Sequence, residues 1–238
     1  MNLKFIIRSI IIFLLLLIVR EGAAQSPGSV ITYEDSINYD EEDGRLFFPS
    51  TVFADLPRDE VYVIDSKGRI IVYDSDRYPL YTLGSNEHIS APQGLTVDAA
   101  GNLYVAQSAT SDNPRHRISV FSSCLKWLRD IYPEGFEGSD TFIPFRMAVD
   151  KQGNIYVVSV TSSEVMVFDG TGRLTDTLAP VEGEKKVRLV NVTLDEKGRL
   201  FLVSEEEGRI YVYDENRKFL FKFVEKGGSS GKLSRPKA

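Results

Sequence analysis

Hydrophobic residues along Pro92–Phe121 (PQGLTVDAAGNLYVAQSATSDNPRHRISVF) come in short bursts separated by polar punctuation. The bursts Gly94–Asp98, Leu103–Gln107 and Arg117–Phe121 are rich in β-branched and aromatic residues, with Gly, Asn, Asp and Pro between them. That composition predicts three strands. A tight turn over Asp98–Gly101 joins the first two, and a longer polar loop, Ser108–Arg115, leads toward the third.

The pattern is written four times. From Thr51 it reads TVFAD, EVYVID, RIIVYD, LYTLG; then GLTVD, LYVAQ, RISVF, LKWLRDIY; then RMAVD, IYVVSV, EVMVFD, LTDTL; then VNVTLD, LFLVS, RIYVYD, FLFKFV. Equivalent positions confirm the register. The aspartate closing the first strand recurs as Asp55, Asp98, Asp150 and Asp195, at spacings of 43, 52 and 45. The second-strand aromatic recurs as Tyr62, Tyr104, Tyr156 and Phe201. Four strands per unit of roughly 40–50 residues is the spacing of a β-propeller blade. A β-sandwich does not repeat a whole four-strand unit, so the predicted class is all-β, a propeller of four-stranded antiparallel blades. LYVA, IYVV and LFLV are apolar at odd and even positions alike, as expected of strands covered on both faces. The turns DAAGN, DKQGN and DEKGR fit hairpins in which Gly adopts positive φ and Asp caps the backbone amides. These carboxylates and aromatics therefore read as scaffold before chemistry.

Pro92–Val105 nearly meets P-x-G-[LIV]-[AT]-V-D-x-x-G-N-[LI]-Y-V, and His116–Phe121 matches the closing segment of the same unit. On these residues the chain resembles the NHL-repeat family. The third copy departs from it with Phe145-Arg146 where Gln93-Gly94 stood, and the fourth with Leu189-Val190-Asn191 and no proline. The resemblance spans Ser50 to the C-terminus and implies six blades around a channel, of which four are visible. Six would need about 270 residues at this repeat length, against 174 from Thr51 to Val224. The segment KLSRPKA also resembles the start of another repeat (compare ISAPQG), so the expectation is a propeller incomplete at its C-terminus.

Ahead of the repeats lies a leader. Lys4 and Arg8 precede the apolar run Ser9–Val19, and Gly22-Ala23-Ala24 offers small residues at cleavage spacing. The run is shorter than the roughly 20 residues a membrane span needs. The expected organisation is residues 1–24 as signal peptide, 25–49 as linker, and 50–238 as blades. The linker includes a short strand, Val30–Tyr33, that could close the last blade. The expected location is extracytoplasmic, periplasmic or secreted, with no membrane insertion after cleavage.

Composition removes several functions. Residues 1–24 carry a net +2 (Lys4, Arg8 and Arg20 against Glu21), so the rest of the −6 chain carries −8. An acidic surface opposes nucleic acid, which argues against the RNA-binding role seen in some NHL proteins. Cys124, the single cysteine, forms no intrachain disulfide, and it reads as a buried small apolar residue. The acidic patch Glu34–Gly44 fails as a calcium loop, because counting back from Gly44 puts Tyr39 at the first ligand position. It reads as a solvated acidic turn.

No HExxH motif or Walker loop occurs. The leading expectation is a non-catalytic scaffold that binds a protein, peptide or glycan on the channel face, without a cofactor. The alternative is a propeller lyase or lactonase with a channel metal supplied partly by further blades. Gln93, Arg146 and Asn191 are the candidate ligand-binding residues, read as equivalent leading positions of three successive innermost strands. A cation beside Arg146 would be disfavoured, which weakens the metal alternative. The sequon Asn191-Val192-Thr193 falls on a predicted innermost strand and is expected to stay unmodified. Mass spectrometry of the mature protein is expected to find a chain beginning at Gln25; an intact Met1 would refute the leader.

Overall fold

Four antiparallel four-stranded sheets follow one another along the chain. In the computed structural model the described residues are 36–42, 44–182 and 185–237. The predicted leader and the Val30–Tyr33 strand lie outside them. Asn38–Ala238 forms one compact unit, distinct from Met1–Ile37. The first sheet holds β1 (Thr51–Asp55), β2 (Glu60–Ile64), β3 (Ile70–Tyr73) and β4 (Pro79–Leu83). The second holds β5 (Pro92–Val97), β6 (Leu103–Gln107), β7 (Arg117–Phe121) and β8 (Trp127–Ile131). In the third are β9 (Pro144–Val149), β10 (Ile155–Ser159), β11 (Val165–Phe168) and β12 (Leu174–Leu178). A small hairpin of β13 (Val181–Glu182) and β14 (Lys185–Lys186) precedes the fourth sheet, β15 (Asn191–Leu194), β16 (Leu200–Ser204), β17 (Arg209–Tyr213) and β18 (Phe219–Phe223). The sheets are the blades of a β-propeller, with β1, β5, β9 and β15 innermost and neighbouring one another in that order.

Burial follows from blade stacking. Every residue of β6, β7 and β10 is buried, because each of these middle strands is covered on both faces. Three apolar clusters join successive blades. Tyr62, Ile70 and Val72 meet Leu95, Leu103 and Phe121. Tyr104, Ile118 and Ile131 meet Met147, Val157 and Phe168. Tyr156, Val165 and Val167 meet Val192, Leu202 and Tyr211. Outer strands are exposed, and β18 is exposed along its whole length.

Hairpins are set by one repeated device. The Asp98 Oδ1 accepts from the Ala100 and Asn102 amides at 2.9 and 2.8 Å. Asp150 does the same for Gln152 and Asn154, and Asp195 for Lys197 and Arg199. The device recurs in the outer hairpins at Asp74, Asp169 and Asp214, a repetition not anticipated above. Gly101, Gly153 and Gly198 take φ of +89°, +83° and +76° within these turns. The first blade solves its turn differently: Arg58 ion-pairs with Asp55 at 2.8 Å and Asp59 takes the left-handed conformation.

Three expectations change. Cys124 is exposed, because the β7–β8 hairpin occupies Ser122–Lys126 and the strand begins only at Trp127. The acidic turn is not simply solvated. Asp40 is buried, accepts from the Glu42 and Gly44 amides, and pairs with Arg69 at 2.9 Å. Burial pushes its carboxyl up, but Arg69 and the two amides outweigh that and hold it below the usual range. The first strand of the second blade runs from Pro92, two residues earlier than predicted, and ends at Val97.

A β-branched residue resists positive φ, so Gly153→Val and Gly198→Val are expected to lower stability by about 1–2 kcal/mol each. At Gly101 the loss should be larger, since a Cβ there would come within 2.3 Å of the Arg58 guanidinium and disturb its pairing with Asp55. Thermal melting of the three variants checks this; unchanged midpoints would contradict the turn geometry.

Candidate functional site

The innermost strands converge at their leading ends, and strand register states which residues meet there. Thr51, Gly94, Arg146 and Asn191 pair with Ile64, Ala106, Val158 and Val203, one equivalent position in each blade. Gln93 is therefore not the equivalent of Arg146 and Asn191, as the sequence suggested. A β-bulge between Pro92 and Gly94 sets Gln93 aside and puts Gly94 in the ring.

That substitution of glycine for a side chain governs the local geometry. A Cβ on Gly94 would lie 2.0 Å from the Phe145 carbonyl oxygen, so the backbones of β5 and β9 touch here. Over the bare glycine runs the Arg146 side chain. Its Nη1 donates to Thr51 Oγ1 at 2.7 Å and to the Gln93 carbonyl at 3.0 Å, tying the third blade to the first and second. The guanidinium also lies over the Phe145 ring, 4.3 Å from its centroid. Both hydrogen-bond acceptors are neutral, and no carboxylate pairs with Arg146 among the described residues. Burial depresses its pKa. Nε and Nη2 meet no acceptor among the described residues.

Gln93 and Arg146 line one cleft of about 510 Å³, together with Thr51, Ser66, Lys67 and Phe145. Among the described residues lining it, Lys67 and Arg146 stand against one carboxylate, Asp65, which pairs at 2.7 Å with Arg69, a guanidinium it shares with Asp40. One wall is the linker at Ser90, fixed by a buried network in the second blade. The Ser90 amide donates to Gln107 Oε1 at 2.8 Å, and Arg117 Nη2 donates to Ser90 Oγ at 3.1 Å. Asn191 does not line this cleft; its Oδ1 accepts from the Val192 amide at 2.8 Å. Thr51 could have been found by counting four back from Asp55. Lys67 could not, because it arrives from the β2–β3 hairpin.

Other polar groups are committed elsewhere. His116 Nδ1 accepts from the Ala109 amide at 3.0 Å, and His88 stacks on Trp127. A larger cleft of about 700 Å³ at the turn end, between the third and fourth blades, includes Asp150, Lys151, Asp195 and Lys197. Asp150 and Asp195 there are the hairpin caps already described. Tyr156, donating to Asp150 at 3.1 Å, has its pKa pushed up to about 12 by burial and then by that carboxylate. Among the described residues no three His, Cys, Asp or Glu side chains are grouped to hold a metal ion.

Fold and site together define a β-propeller with a cationic cleft at the leading end of its innermost strands. Its similarity to solved structures agrees with the fold. A protein of unknown function from Bacteroides caccae superposes with a TM-score of 0.56 at 14% identity, over 79% of this chain and 65% of that one. A streptogramin B lyase superposes with a TM-score of 0.56 at 13% identity, over 84% of this chain and 61% of that one. The chain thus spans less than two thirds of either structure. At such identity the likeness is one of fold. No protein-family model and no curated protein sequence matches.

Gly94→Ala is expected to destabilise the protein by about 1–3 kcal/mol, the range for forcing a methyl into packed space. Its neighbour is backbone and cannot rotate away. Denaturant unfolding tests this; a neutral substitution would mean that β5 and β9 stand further apart.

Proposed function

We propose that this chain is an exported propeller of NHL type that acts as a non-catalytic binding module, engaging a negatively charged group of its ligand at the Arg146 cleft. The observation that carries the reading is the state of Arg146: a partly desolvated guanidinium bonded only to neutral oxygens. Removing a cation from water without a counter-charge is costly, and an anionic ligand supplies that charge. The cleft supports this as a whole, since its lining sets Lys67 and Arg146 against Asp65, a positive balance in a protein of net −6. Export rests on the leader sequence, and the repeat type on the Pro92–Val105 pattern.

A lyase or lactonase with a channel metal fits these residues poorly. The four leading positions supply Thr51, Gly94, Arg146 and Asn191, which would set a divalent cation beside a guanidinium. The streptogramin B lyase contributes fold only.

Screening the chain against acidic peptides and anionic glycans by fluorescence polarisation tests the reading. Arg146→Ala should weaken binding of the captured class by ~1–3 kcal/mol. Added salt should weaken the wild-type complex as well. Equal affinity of variant and wild type for every captured ligand would move the binding surface elsewhere, with the loop Ser108–Arg115 the next candidate.

A further inference from the structure

Resting on the anion-binding reading just given, we infer that the Arg146 cleft takes a sugar acid: a small polyhydroxylated body carrying one carboxylate. Four observations lead there. The volume, about 510 Å³, lies within the range that holds small molecules, and a body of one or two sugar rings suits it. The cleft presents one guanidinium, whose planar fork matches a carboxylate with two parallel hydrogen bonds. Arg146 spends Nη1 on Thr51 and Gln93, which fixes the plane of the fork and leaves Nε and Nη2, adjacent donors on one edge, to face a ligand.

The remaining lining decides what else the ligand carries. Apart from Phe145, Ala91, Pro92 and Gly68 its side chains are hydroxyl, amide or charged, and an aliphatic body would leave these groups desolvated. Gln93 holds the Ala91 carbonyl only at 3.4 Å, a weak bond that a ligand hydroxyl can replace. Ser66 Oγ donates to the Phe47 carbonyl at 2.9 Å, which leaves its lone pairs free to accept from a hydroxyl. Sugar hydroxyls both donate and accept, and so serve both kinds of partner. The second cation, Lys67, is engaged with an aromatic face, its ammonium 5.3 Å from the Phe47 ring centroid. A dianionic phosphate would gain from two converging cations; a monoanion needs one.

The test titrates the full chain by calorimetry with galacturonate, its uncharged carboxamide, a Glu-Glu dipeptide and inorganic phosphate. Galacturonate, a sugar with one carboxylate, should bind, with at least tenfold loss for the carboxamide, whose use leaves the protein untouched. Arg146→Ala, checked by melting because Arg146 also ties blades, should lose at least tenfold as well. Arg146→Lys, which keeps the charge without the fork, should lose several-fold, and Gln93→Ala should weaken galacturonate. Peptide or phosphate binding that depends on Arg146, with galacturonate silent, would overturn the sugar acid and leave the anion site standing. No anion showing dependence on Arg146 would overturn both.

Discussion

Stacking twisted sheets around an axis forces their first strands together, and here the crowding is resolved by one residue per blade. Thr51, Gly94, Arg146 and Asn191 hold the same register position, and their volumes are not interchangeable. Gly94 lets β9 approach until its carbonyl lies where a Cβ would be. The space above the glycine is what Arg146 crosses to reach Thr51, 95 residues earlier in the chain. A side chain at position 94 would separate the strands and block the arginine together. Fold and candidate site therefore depend on the same missing atom.

The rest of each blade tolerates variation because its turns close themselves. An Asp carboxylate bonding amides two and four residues on costs no tertiary contact, so the device works in inner and outer hairpins alike. Where it is altered, the compensation is visible. Tyr104 and Tyr156 place a hydroxyl on the capping aspartate of their own blade. Phe201 has no hydroxyl, and Arg199 pairs with Asp195 instead at 2.7 Å. In the outer hairpins Arg77, Leu125 and Arg217 occupy the left-handed region that Gly172 occupies in the third blade. Non-glycine residues sit there at some cost, which the sheet on either side absorbs.

This division explains what was legible in the sequence. Strands and turns are local, so β6 and β7 match their predicted limits and the three capped glycines fall where the Asp-x-x-Gly pattern put them. The class followed from repetition of that local code. Tertiary facts left no such trace. Nothing near Asp40 announces Arg69, and nothing near Cys124 announces that the hairpin rather than the strand claims it. The candidate site was half legible. Arg146 stood out as a charge in an apolar strand, but the bulge that displaces Gln93 is a property of how Pro92 pairs with Gln107. A proline is admitted at a strand's first position, and the chain must absorb the extra residue somewhere. Counting from Asp98 and Asp150, or from Pro92 and Pro144, sets Gly94 rather than Gln93 opposite Arg146, and the third blade carries the same bulge at Phe145.

The buried polar residues at the second-strand ends show why Arg146 differs from the other arginines. Asp65, Gln107, Ser159 and Ser204 are equivalent and all buried. In the first blade Asp65 meets Arg69, which bridges it to Asp40. In the second, Gln107 replaces the acid, and the equivalent arginine, Arg117, turns to Asp130 on the neighbouring strand at 3.6 Å. Asp130 Oδ1 accepts from Ser119 at 2.6 Å and from Trp127 at 3.2 Å; its Oδ2 accepts from Tyr132 at 3.4 Å and lies beyond hydrogen-bond reach of Arg117, whose Nε and Nη1 are buried without a hydrogen-bond partner among the described residues. Arg117 still has a carboxylate beside it, so its field is largely local. Arg146 has none, and its charge is expressed at the cleft. In a protein of net −6, a cation whose field is not cancelled by a neighbour is where an approaching anion finds the least repulsion. Desolvation then strengthens the contact once made, because the same burial that depresses the Arg146 pKa lowers the local dielectric.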